Sequence, residues 1–152
     1  MKIKKIFIVL LFLLQNCGYT PIHSKYQNFD YRLNIIEIKG EPMINNLISS
    51  KLKKLSNNKA KKTINLKISS DSERLILSKN KQNEITYYQL VQSINFEITD
   101  EKDFEKQFNF NEKIKIRNIN DQFEMKKYQD EIIKSFINSK IDEFILQLKT
   151  IK

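Results

Sequence analysis

One cysteine, one histidine, two glycines and two prolines are spread over 152 residues, and each scarcity excludes something. The single cysteine, Cys17, permits no intramolecular disulfide. One cysteine and one histidine, His23, supply no zinc or iron ligand set. They also supply no convincing Ser/His/Asp or Cys/His arrangement. Scattered carboxylates in a chain that is 30% charged read as solvated faces. The chain is therefore expected not to be an enzyme and to carry no cofactor. The shortage of glycine and proline rules out a phosphate-cradling loop, a long flexible linker and a collagen-like segment, and no internal repeat is visible. Net charge is +9, but lysine, isoleucine and asparagine are abundant together, as a coding bias would produce. The charge is thus no pointer to nucleic acid.

What the chain does have begins at its start, MKIKKIFIVLLFLLQNC. Lys2, Lys4 and Lys5 precede an unbroken apolar run from Ile6 to Leu14, the layout of a secretory signal peptide. As a helix that run spans only about 14 Å, roughly half of a ~30 Å hydrocarbon core, too little for a permanent anchor. Leu14 three residues before Cys17 resembles a bacterial lipoprotein signal, in which the cysteine is acylated and becomes the first mature residue. Gln15 and Asn16 stand where such signals carry small residues. The alternatives are a cysteine beyond an ordinary signal peptide, or a buried free thiol. Several acyl chains at ~0.8 kcal/mol per buried methylene hold a protein to a membrane, whereas one is marginal. Gly18 follows the cysteine in place of an inner-membrane-retaining Asp, so the resemblance implies the outer membrane. Residues 1–16 are read as signal peptide, 17–31 as a lipidated leader and 32–152 as a single domain. Loss of the first three lysines lowers the net charge to +6.

The β-branched run Leu33–Lys39 reads as a first strand whose alternation slips between Ile35 and Ile36. Gly40-Glu41-Pro42 signals a helix start. Ile44, Leu47, Ile48, Leu52 and Leu55 then form one stripe of a helix ending near Leu55. Ile64, Leu66 and Ile68 alternate in a second strand. Ser69-Ser70-Asp71-Ser72 are expected to interrupt it as a bulge or bend, and Leu75-Ile76-Leu77 to resume it. After a turn at Lys79–Asn83, even positions from Tyr88 to Ile98 are apolar, Gln92 excepted. A turn at Asp100–Asp103 leads to a fourth strand from Phe104 to Ile116. Residues from about 121 to 149 carry Met125, Tyr128, Ile132, Ile133, Phe136, Ile137, Ile141, Phe144, Ile145 and Leu148 at steps of three and four. This is a helix of roughly 40 Å with a continuous core face. Residues 121–152 hold six acids and six lysines, so the helix is neutral rather than a basic membrane-surface helix.

The predicted order β-α-β-β-β-α gives a right-handed parallel crossover followed by an antiparallel meander. The fold class is α+β: a two-layer sandwich with two helices on one face of a four-stranded, mostly antiparallel sheet. Between residues 51 and 70 there are seven lysines, Lys51, Lys53, Lys54, Lys59, Lys61, Lys62 and Lys67, and no acid. The patch is either a solvated helix end or a site for anionic head groups or phosphates, of lipid or lipopolysaccharide. Arg74, Lys79 and Lys81, at the far ends of long strands, form a second candidate, since hairpin tips suit partner docking.

The opening Cys17-Gly18-Tyr19-Thr20-Pro21-Ile22 resembles the Cys-Gly-aromatic-x-Pro-aliphatic start of the LPS-assembly lipoproteins, the LptE-like family. The likeness continues through the Asn45-Asn46-Leu47-Ile48 helix segment and the arginine-bearing turn before Tyr87-Tyr88-Gln89-Leu90. It implies a non-catalytic outer-membrane lipoprotein with this sandwich fold. Its partners would be an LptD-type β-barrel, which such proteins help to assemble and plug, and lipopolysaccharide. The domain would lie on the periplasmic side or inside the barrel lumen, with no nucleic-acid role. The remaining alternative is an envelope lipoprotein that binds a lipid or scaffolds another outer-membrane complex.

Overall fold

The computed structural model describes residues 30–99 and 105–150. The signal region, Cys17, His23, the leader to residue 29, and the expected turn at 100–103 with Phe104 lie outside the described residues.

The order is β1 (Tyr31–Lys39), α1 (Pro42–Leu55), β2 (Lys62–Lys79), β3 (Ile85–Thr99), β4 (Glu105–Arg117) and α2 (Gln122–Thr150). The strands form one sheet in the order β1-β2-β3-β4. β1 runs parallel to β2, and β2, β3 and β4 are antiparallel neighbours. This is the expected α+β architecture. In β1 the slip seen in the sequence is a register shift between Ile35 and Glu37, which turns Ile36 outward at 52% exposure.

Two features fix the turn from β1 into α1. Gly40 has φ +126°, and a Cβ there would collide with the carbonyl and hydroxyl oxygens of Ser70. Asn45 fastens the crossing: its Nδ2 donates to the Gly40 carbonyl at 3.1 Å, and its Oδ1 accepts from the Ser70 hydroxyl at 3.3 Å. Pro42 occupies the first turn of α1, where its missing N–H costs nothing. The N-terminus of α2 is capped by Asp121, whose Oδ1 accepts from the amides of Phe123 and Glu124, both at 2.9 Å.

Both helices cover the face formed by the even positions of β2, β3 and β4. Phe144 of α2 is the centre of the core. Its ring stacks on Phe96 at 4.1 Å and meets the edge of Phe108 at 5.3 Å. Ile48, Leu52, Leu66, Ile137 and Ile141 are fully buried around it. Each such side chain contributes about 1.5–3 kcal/mol gross.

Two sequence expectations do not hold. Ser69–Ser72 do not break β2, which runs in register from Asn65 to Ile76 against β3. Regular backbone pairing with a long partner strand outweighs the weak strand propensity of serine. The irregularities come later, between Ile76 and Ser78 and between Ser78 and Lys79. Leu75-Ile76-Leu77 also fail to resume a buried face: they are 40%, 55% and 45% exposed. Leu75, in register with Gln89, faces away from the helices, and Leu77 sits at the irregularity; for Ile76, on the helix side, the reason is length. The 14 residues of α1 cover about 21 Å, whereas the 18 residues of β2 extend about 60 Å. β1 pairs with β2 only as far as Ser69. Tyr128, expected on the core stripe, is likewise exposed at 37%, near the α2 end that overhangs this uncovered half.

Candidate functional site

The ten basic residues marked by the sequence do not converge. Lys62 and Lys79 lie at opposite ends of β2, about 56 Å apart along the strand. At the near end, the last turn of α1 presents Lys53 and Lys54, and Lys59, Lys61 and Lys62 follow; all five are exposed. Lys61 and Lys62 line an open hollow with Asp30, Tyr31 and Lys149, and the Lys62 ammonium lies 5.8 Å from the centre of the Tyr31 ring. Lys149 ends α2, so both helices bring their negative dipole ends and terminal lysines to this one end of the sandwich.

Lys51 and Lys67 belong elsewhere. The Lys51 ammonium donates to the Asn138 carbonyl at 2.7 Å and is ion-paired to Asp142, which ties α1 to α2. Lys67 is ion-paired to Glu97 at 3.0 Å on the sheet face away from the helices. The basic end is therefore smaller than the sequence cluster, with five exposed lysines from it and Lys149 added by the fold.

At the far end, an open groove of about 830 Å³ lies where α1 stops short. Its floor is apolar, with Leu90 from β3 and Met125 and Ile133 from α2. Its rim carries Glu41, Arg74, Lys126 and Asp130. Arg74 is stacked over Tyr88, 4.6 Å from guanidinium carbon to ring centre. The Gln129 side chain lines this groove, and its Nε2 is buried without a hydrogen-bond partner. Gln92, two residues from Leu90 and in register with groove-lining Ser72, is 2% exposed with both amide atoms unpartnered. Lys79 and Lys81 stand exposed on the hairpin beyond. Sequence reasoning missed this groove. Its one legible trace was the break in β3 parity at Gln92.

The sheet face opposite the helices is mostly polar, with Leu75 and Val91 on it toward the far end. Cross-strand rows place Ser69, Asn95 and Asn109 side by side, and Asp71, Ser93 and Asn111 next to them. Together they line a shallow cleft. The Asn34 amide donates to Asn65 Oδ1 at 2.8 Å across β1 and β2. β4 adds Lys113, Lys115 and Arg117 at alternate positions, with the Lys115 ammonium 4.0 Å from the Tyr87 ring centre. Hydrogen bonding to the Lys39 ammonium, followed by its charge and then that of Lys67, holds the exposed Glu37 carboxyl below the usual range. Among the described residues no group of His, Cys, Asp and Glu could hold a metal ion, and no helix is long and apolar enough to cross a membrane.

The arrangement defines a class before it defines a protein: a two-layer α+β sandwich with a mostly polar outer sheet face and one basic end. Solved structures of similar fold include bacterial lipoproteins. Rare lipoprotein B from Shewanella oneidensis aligns with a TM-score of 0.52 at 14% identity, over 76% of this chain and 99% of that one. A minor lipoprotein from Acinetobacter baumannii gives 0.56 at 13% identity, over 80% and 94%. Lipoprotein B from Nitrosomonas europaea gives 0.51 at 13% identity, over 80% and 86%. At these identities the likeness is one of fold. No protein-family model and no curated protein matches the sequence.

Proposed function

We propose that this chain is a non-catalytic outer-membrane lipoprotein that plugs and helps to assemble a lipopolysaccharide-transport β-barrel of the LptD type, and contacts lipopolysaccharide as it passes. The observation that carries the reading is the lipoprotein-like opening at Cys17-Gly18-Tyr19-Thr20-Pro21 on a domain that shares its fold with bacterial lipoproteins. The mostly polar outer sheet face supports it, because the interior of a large membrane barrel is polar and wet, and a plug must be compatible with that surface. The five exposed lysines at the near end offer a phosphate-binding surface of the kind that anionic lipid head groups require. The decisive experiment is crosslinking in intact envelopes, followed by copurification and mass identification. A barrel protein recovered in about equal amount supports the reading, and recovery of the lipoprotein without any barrel refutes it.

The groove beside α2 favours a second reading, an envelope lipoprotein that binds a lipid. Leu90, Met125 and Ile133 would lie against an acyl chain and Arg74 against its head group. Phospholipid carried through purification in stoichiometric amount, in the absence of a barrel, would select this alternative.

A further inference from the structure

β1 stops pairing at Ser69, so Ser70–Lys79 of β2 is hydrogen-bonded to β3 alone. Its other edge presents free backbone donors and acceptors, a template for another strand. Natural edges are commonly guarded by a charge or proline at their centre. This one carries Leu75, Ile76 and Leu77 there, each at least 40% exposed. The charges flank the apolar centre in a symmetric, sign-reversed pattern about Ile76. Glu73 lies three residues before it, and Lys79, the last residue of β2, three after. Neither side chain forms an ion pair among the described residues.

We propose that this edge pairs antiparallel with the same edge of a second copy, about a two-fold axis through Ile76, to form one continuous eight-stranded sheet. In that register Ile76 faces Ile76 and Leu75 faces Leu77. Glu73 faces Lys79 twice, which gives two cross-strand ion pairs. A shift of the axis to Leu75 sets Glu73 against Leu77 and Arg74 against Ile76, and a shift to Leu77 sets Lys79 against Leu75 with no ion pair inside the strands. Only the central register faces the three apolar residues with one another and the flanking charges with each other. The register irregularities between Ile76 and Lys79 add local twist, and the paired stretch is short. Both place the dimer among weak interfaces with micromolar dissociation constants. The inference stands apart from the barrel reading. A copy paired through this edge and a copy seated in a barrel are competing states.

The test is sedimentation of the full-length protein in detergent over about 1–100 µM. The expected result is a concentration-dependent monomer–dimer equilibrium. Ile76→Lys abolishes the dimer, and Glu73→Lys weakens it at least tenfold because like charges then oppose each other. Glu73→Lys combined with Lys79→Glu restores it, since opposite charges again face across the axis. Under mild oxidation in a Cys17→Ser background, Ile76→Cys crosslinks two copies and Leu75→Cys does not. A wild-type chain that stays monomeric throughout overturns the proposal. So does a dimer indifferent to Ile76→Lys, a charge swap that fails to restore pairing, or equal crosslinking at positions 75 and 76.

Discussion

Gln92 offers the sharpest check on the described core. Its side chain is 2% exposed, points to the helix-covered face between Leu90 and Ile94, and leaves both amide atoms without a partner. A buried amide without hydrogen bonds costs about 1–3 kcal/mol by protein mutational measures. Leucine has similar volume and no polar atoms, so Gln92→Leu removes that cost and adds apolar burial. Allowing for imperfect repacking, the expected gain is about 1–3 kcal/mol. At a urea slope of about 2 kcal/mol/M the unfolding midpoint rises by roughly 0.5–1.5 M with an unchanged slope. The neighbour on the same face calibrates the experiment. Ile94 is 1% exposed, and Ile94→Ala should cost about 2–5 kcal/mol. Gln92→Glu places an unpaired carboxylate in the same site and should destabilise most at neutral pH, less in acid where the carboxyl is protonated. Equilibrium urea denaturation followed by circular dichroism reads all three. A loss of more than about 1 kcal/mol in Gln92→Leu would refute the reasoning, because it would mean that the amide is hydrogen-bonded in the folded protein.

Phe144→Ala removes a fully buried ring stacked on Phe96 and edge-on to Phe108; a loss of about 3–5 kcal/mol is expected in the same denaturation assay. Gly40→Ala must distort a φ of +126° and push Ser70 away. A loss of about 1–3 kcal/mol is expected, and no measurable change would contradict the crossing geometry. Charge reversal at Lys59, Lys61 and Lys62 together should weaken binding to lipopolysaccharide and flatten its salt dependence, while unchanged binding in a pull-down would remove the near end from consideration. Under the proposed lipoprotein reading, Cys17→Ser should move the protein from the membrane to the soluble fraction, and retention in the membrane would count against acylation.

The amino-acid sequence by itself determined the elements and most of their inward faces. Even parity along β3, the three-and-four spacing from Met125 to Leu148, Gly40 with Pro42, and the slip at Ile35/Ile36 are local signals. Backbone periodicity and turn chemistry express them without reference to distant residues. Only the tertiary structure decided what covers what. Leu75-Ile76-Leu77 carries as much apolar content as Ile64-Asn65-Leu66, yet it is exposed: Ile76 because α1 and β1 end before reaching it, and Leu75 because it faces away from the helices. Lys51 and Lys67 lie within one lysine-rich stretch of sequence but find Asp142 and Glu97, which are brought near by folding alone. Lys149 joins the near end from the other terminus of the domain, and Arg74 is carried away to the opposite end. Burial and charge pairing depend on the relative lengths and ends of neighbouring elements. Those are set by packing across the sheet, at separations of tens of residues that no local pattern records.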